Sequence, residues 1–318
     1  MTNCLICDDN ENIIFVDNYI HQFEEDKKYF DDAKLYKCNA CDFTFVNPMP
    51  DEKKLDYFYK KIYSSNIRPP YFALEDSDVQ KSHFLKDKNL SYLIYLTSLI
   101  DFKKIENIYD FGCSNGDIGY ALKKKFTQLQ LHCSETDEFC KNILNERGYK
   151  NYDDLNTIDK KFDLIIATHV LEHVTNINDL LKKFKNILNQ EGYIFFEVPN
   201  CPKEYWENRI YDGAHLLFYT KKSIERIAKL HSLEFVNFSY SAHSFEDDYI
   251  YQRDDQENAY KTSYKYSRVI KKILPKSIVS ILRNYKQGRE SREINKLNWF
   301  INNTGKNAYM RGILKKLN

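Results

Sequence analysis

Long apolar runs are missing from this chain: no uninterrupted stretch approaches the ~18 residues that a membrane-crossing helix needs. With hydrophobic residues at 42% and charged ones at 29%, the composition is that of an ordinary globular protein. The opening residues MTNCLICDDNENII lack the basic residues and apolar core of a secretory signal. That predicts a cytoplasmic protein and argues against disulfides among the eight cysteines. Glycine is scarce as well, nine in 318 residues, and a dinucleotide-binding loop would want it where other residues stand. Aligned on Gly112, the G-x-G-x-x-G fingerprint meets Ser114 and Asp117 at its second and third glycine positions. A pyrophosphate would also be repelled by Asp110 and Asp117 on either side of that turn. A nicotinamide-dependent dehydrogenase is thereby disfavoured.

Net charge is nearly absent, at +1, but it is unevenly spread. Residues 261–318 hold 15 Lys and Arg against two acids, which leaves 32 basic and 44 acidic residues in the first 260. Around Pro275 the tail reads as two short amphipathic helices, with Val269, Ile270, Ile273 and Leu274 before the proline and Ile278, Ile281 and Leu282 after it. Such a tail either docks on the acidic body or a second subunit, or rests peripherally on an anionic inner membrane. A nucleic-acid-binding protein is the rival of a different class. Against it, the first 30 residues carry Asp8, Asp9, Glu11, Glu24, Glu25 and Asp26, which would repel phosphates, so no nucleic acid is expected.

Four of the cysteines form two pairs, Cys4 and Cys7 in CLIC and Cys38 and Cys41 in CNAC. Two residues between thiolates let one tight turn present both sulfurs to an ion, and two such turns complete the tetrahedral shell of a structural zinc. Strand-like runs between and after the pairs predict a small zinc ribbon. With four thiolates no water position stays open, so the metal would support folding and not chemistry. Cys113, Cys133, Cys140 and Cys201 lack this spacing and read as packing residues.

From about Asp101 strands and helices alternate. KIENIYDF, QLQLHCSE, KFDLIIATHV, YIFFEVPN and LEFVNFSYS read as strands. Between them lie helices, one ending on Gly148, one (NINDLLKKFKNILNQEG) ending on Gly192, and one with a Thr cap in TKKSIERIAKLHS. This predicts a doubly wound α/β sheet with its ligand at the carboxyl ends of the strands. In NIYDFGCSNGDIGYA, Asp110, Gly112 and Gly116 match the D-x-G-x-G-x-G loop of class I S-adenosylmethionine (SAM) methyltransferases, with Ser114 in place of the middle glycine. Asp110 suits a cofactor that bears an amine and a positive sulfur. The stretch from Asp101 to Tyr240 resembles bacterial methyltransferases of the ubiquinone-type and sugar-modifying group.

That resemblance implies a Rossmann-like methyltransferase fold with SAM as cofactor. Glu135, 23 residues past Gly112, would chelate the ribose, and Asp153 or Asp154 would lie near the adenine. Similar two-part chains, a ribbon ahead of this core, occur among surface-polysaccharide and deoxysugar methyltransferases. They point to O-methylation of a sugar hydroxyl on a nucleotide-sugar or glycan, with C-methylation of a deoxysugar or methylation of another small metabolite as the alternative. The domains expected are a zinc ribbon over 1–47, an aromatic linker and covering helix over 48–100, the methyltransferase domain over 101–250 and a basic helical extension over 251–318. The linker, with turn signals at Arg68 to Pro70, either closes over the cofactor as a lid or packs between domains.

The acceptor side needs a base if a hydroxyl is methylated. His169, Glu172 and His173 follow the fourth strand and His215 follows the fifth. His215 or His173 would serve as the base, since imidazole titrates near neutrality. In a second reading the four resemble the Glu-x-x-Glu-His plus His metal site of small-RNA 2'-O-methyltransferases, and a second divalent ion would acidify the acceptor. In a third they hydrogen-bond the loop together.

Overall fold

The computed structural model describes residues 2–21, 23–30, 32–63, 83–209, 211–241 and 309–317. A seven-stranded sheet organises them in the order β10-β11-β8-β7-β4-β5-β6. Its strands are β4 (Asn107–Phe111), β5 (Gln130–Ser134), β6 (Tyr149–Asn151), β7 (Phe162–Thr168), β8 (Leu188–Pro199), β10 (Leu233–Ser241) and β11 (Tyr309–Lys316). The pairs from β6 to β8 are all parallel, while β11 runs antiparallel to both β8 and β10. The α/β architecture read from the sequence is thus present.

Side chains that alternate along the central strands feed two separate cores. Tyr109, Ile165 and Phe196 face the helices Ile177–Ile187 and Lys221–Leu230. Ile108, Leu164, Ile166 and Phe195 face the helices His83–Leu99 and Asp117–Lys125. Thr220 caps Lys221–Leu230 through a capping box with Ser223.

Two expectations are corrected. The helix expected to run to Gly192 ends at Ile187, because the buried Leu188 already pairs with Phe162 and opens β8. The C-terminal stretch expected to be helical is a strand over Tyr309–Lys316. Met310, Ile313 and Leu314 are buried, and the wholly buried Arg311 is paired inside the sheet. The helices expected around Pro275 and the turn at Arg68 to Pro70 lie outside the described residues. Among the described residues, no helix is long and apolar enough to cross a membrane.

A second, four-stranded sheet has the order β1-β2-β3-β9, from β1 (Ile13–Asn18), β2 (Lys34–Cys38), β3 (Phe43–Asn47) and β9 (Leu217–Phe218). Its fourth strand comes from beyond β8, so the N-terminal sheet is completed by the loop that carries His215. Thr44 pairs with Phe218 and Phe45 with Leu217, and the Val46 amide donates to the Leu216 carbonyl at 2.9 Å. Farther along, Arg209 holds Asp17 and Asp212, and the Asp212 carboxylate accepts from the Ile20 amide at 2.6 Å.

Candidate active site

Strand β4 ends in a turn whose backbone is left-handed at Gly112, Ser114 and Gly116, with φ of 65°, 52° and 69°. A Cβ on Gly112 would stand 2.6 Å from Val170 Cγ2, so both conformation and space call for glycine there. The same Gly112 donates its amide to the Ser134 carbonyl at 2.9 Å, which pins the turn to β5. Asp117 does not burden the turn with a loose charge, since Arg147 pairs with it at 2.6 Å.

Asp110 is 2% exposed, and its Oδ1 has no hydrogen-bond partner among the described residues. Burial, then the nearby Glu135 and Asp117 charges, push its carboxyl well above the usual range. A buried acceptor left without a donor fits a cationic or amine-bearing ligand. Glu135, at the end of β5, accepts from the amides of Ser114, Thr136 and Asp137 at 2.7, 2.8 and 2.9 Å. Three of a carboxylate's roughly four acceptor positions are thereby filled, and its orientation is fixed.

The cleft at this edge has a volume of about 260 Å³. Its lining brings together Gly112, Ser134 and Glu135, His169, Val170 and His173, and Asp56, Tyr59 and Tyr63. Asp153 and Asp154 are not among the lining residues. Asp153 points to solvent and pairs with Lys141 at 3.3 Å, and Asp154 caps the turn Leu155–Thr157. Ser114 and Gly116 shape the loop, one by holding Glu135 and the other by starting the helix Asp117–Lys125.

Past β7 the chain makes a short turn over Leu171–His173. Within it Glu172 is 1% exposed and faces three imidazoles. His169 Nδ1 lies 3.6 Å and His215 Nε2 4.0 Å from its Oε1, while Oε2 has no hydrogen-bond partner among the described residues. Burial would raise the Glu172 carboxyl, but the hydrogen bond from His169 and the positive potential of His173, His215 and His169 hold it down to about 2. His215 is pushed down to about 3, first by burial and then by His173, with Glu172 opposing. Of the four residues singled out in the sequence, His169 and His173 line the cleft. Glu172 and His215 are not among its lining residues, and His215 packs against His173 with ring centroids 4.8 Å apart. Glu172, His173 and His215 offer three metal-ligand atoms within 4.8 Å of one another.

Sequence reasoning missed Glu197, Arg311 and Tyr59, whose hydroxyl stands 3.1 Å from Nδ1 of His173. His169 donates through Nε2 to the wholly buried Glu197 at 3.1 Å, and its own backbone is left-handed at φ 52°. The signal for Glu197 was a single acid inside the apolar run YIFFEVP, which a buried strand tolerates only with a partner.

Cys4, Cys7, Cys38 and Cys41 converge on one point, with Sγ separations of 3.5 Å for Cys4 to Cys41, 3.6 Å for Cys7 to Cys38 and 3.7 Å for Cys7 to Cys41. A tetrahedron of Zn–S bonds of about 2.3 Å has edges of about 3.8 Å, so the donor set and its spacing fit zinc.

Residues 83–237 match a family described as "Methyltransferase domain". The chain is 31% identical over 100 residues to a malonyl-[acyl-carrier protein] O-methyltransferase of Bacteroides fragilis, across 30% of this chain and 20% of that protein. It is 26% identical over 140 residues to a ubiquinone biosynthesis O-methyltransferase of Glaesserella parasuis, across 39% of this chain and 56% of that one. The chain thus spans 20% and 56% of the length of these two curated relatives. Among solved structures, coclaurine N-methyltransferase bound to N-methylheliamine and SAH is 14% identical, with 83% of this chain and 86% of that chain covered and a TM-score of 0.48.

Proposed function

We propose that residues 83–237, which match a methyltransferase family, use SAM, that this protein methylates an acceptor hydroxyl, and that a sugar hydroxyl on a nucleotide-sugar or glycan is the acceptor. The observation that carries the reading is the one cleft in which Gly112 and Glu135 meet His169 and His173. Relatives named as O-methyltransferases support methylation at oxygen, and the ribbon-plus-core resemblance supports the sugar hydroxyl.

SAM, when bound, supplies a methyl group already activated on its sulfonium. Asp110 offers its unpartnered oxygen to the amine end, Glu135 holds the ribose, and the glycine turn permits close approach of the backbone. His173 accepts the proton that the hydroxyl gives up, and Tyr59 and Tyr63 wall the acceptor against water. His173 takes this role in preference to His215, because His173 lines the cleft and His215 does not. A second reading is favoured by the three ligand atoms of Glu172, His173 and His215 and by the unpartnered Glu172 Oε2: a divalent ion held there would acidify the hydroxyl.

The test is transfer of a labelled methyl group from SAM to a panel of nucleotide-sugars, glycan fragments and catechols. Label on a sugar oxygen is expected, with His173→Ala lowering turnover by ~10²-fold or more at nearly unchanged SAM affinity. Loss of activity with a chelator and recovery with divalent ion would select the metal reading. Label on carbon, or on catechols alone, would contradict the sugar-hydroxyl assignment.

A further inference from the structure

Tyr59 lies ahead of the matched methyltransferase residues, in the helical turn Phe58–Tyr63, yet its side chain reaches the acceptor wall. Its hydroxyl donates to the Ala214 carbonyl oxygen at 3.1 Å and stands 3.1 Å from Nδ1 of His173. His173 Nδ1 is itself 3.1 Å from the same carbonyl. These three atoms form a triangle with few ways to place its protons.

A carbonyl oxygen only accepts, so the contact between His173 and Ala214 requires a proton on Nδ1. Tyr59 donates its one hydroxyl hydrogen to that carbonyl, so its oxygen accepts from Nδ1 as well. In a neutral imidazole with Nδ1 protonated, the lone pair sits on Nε2. Ala214 holds its carbonyl in place from a left-handed backbone, φ 61°, a conformation that costs a non-glycine residue free energy and recurs where a site constrains the chain. The ring is also confined. Tyr59 and Tyr63 meet it edge-on at centroid distances of 5.7 and 5.9 Å, and His215 does so at 4.8 Å.

We propose that Tyr59 is a positioning residue which, together with the Ala214 carbonyl, fixes His173 in the Nδ1–H tautomer. The segment ahead of the methyltransferase domain thereby decides which nitrogen of the site carries the lone pair. This rests on the role given to His173 above, and it holds whether that nitrogen takes a proton or a metal ion.

The experiment is ring-nitrogen NMR of the full chain labelled with ¹⁵N-histidine, at a pH where the ring is neutral, with the His173 signals assigned by their loss in His173→Gln. The expected spectrum shows His173 as Nδ1–H in the wild-type protein. In Tyr59→Phe the Nδ1–H population is expected to fall while calorimetric SAM affinity stays unchanged. A wild-type His173 found as Nε2–H would overturn the proposal without any variant, and so would a Tyr59→Phe spectrum identical to wild type. Failure of the wild-type protein to bind SAM would instead overturn the methyltransferase reading, leaving the tautomer a separate result.

Discussion

Arg311 and Glu197 are each 0% exposed and meet inside the sheet, with Nε 2.7 Å and Nη2 2.6 Å from the same carboxylate oxygen, although 114 residues separate them. The same carboxylate also accepts from Tyr92, Ser241 and His169. Strand β11 therefore does more than complete the sheet: it neutralises the acid that orients a histidine of the cleft.

Removing one partner of such a pair leaves a buried charge uncompensated, at a cost of about 3–5 kcal/mol. Arg311→Met should therefore lower the midpoint of urea unfolding sharply, and adding Glu197→Gln should restore much of the loss by removing the stranded charge. A single variant as stable as wild type would contradict this.

The second expectation concerns pH. Asp110 has a raised carboxyl in the folded chain, so its contribution to stability is present below the unfolded value of about 4 and is lost as pH rises through the folded value. A bound cation reverses that preference by favouring the carboxylate. SAM binding should therefore release protons and tighten with rising pH, detectable by calorimetry in buffers of different ionisation enthalpy. Asp110→Asn should bind about tenfold more weakly or worse, since a charge-assisted contact contributes roughly 1.5–3 kcal/mol, and should lose the pH dependence.

The alternating strands, the glycine turn and the paired cysteines were legible because each follows from local chemistry: period-two burial, left-handed backbone at Gly112 and Gly116, two thiolates per tight turn. The histidine cluster was legible as a set, but which of its members line the cleft was not. Whether His173 or His215 faces the cleft depends on how β9 ties residues 216–218 to a sheet formed by residues 13–47, a long-range pairing that leaves no periodic trace. Arg311 passed unnoticed for the same reason. It lies in the stretch expected to be a basic helical extension, and only Glu197, on another strand, supplies the partner that buries it.

Zinc analysis gives the third expectation: one ion per chain, held by Cys4, Cys7, Cys38 and Cys41, under reducing conditions. Because β3 pairs with β9, stripping the metal should also loosen the acceptor loop. Amide exchange at Val46, which donates to Leu216, should accelerate, while that of Ile165 in the central strand stays slow. Metal-free protein with unchanged exchange at Val46 would separate the ribbon from the site.

The central claim, that the glycine turn and the acids Asp110 and Glu135 form a SAM site and not a dinucleotide site, is tested most directly by calorimetric titration of the full chain with SAM and, separately, with NAD. The account predicts saturable binding of SAM at one site per chain and no detectable heat with NAD. Saturable NAD binding without SAM binding would contradict it.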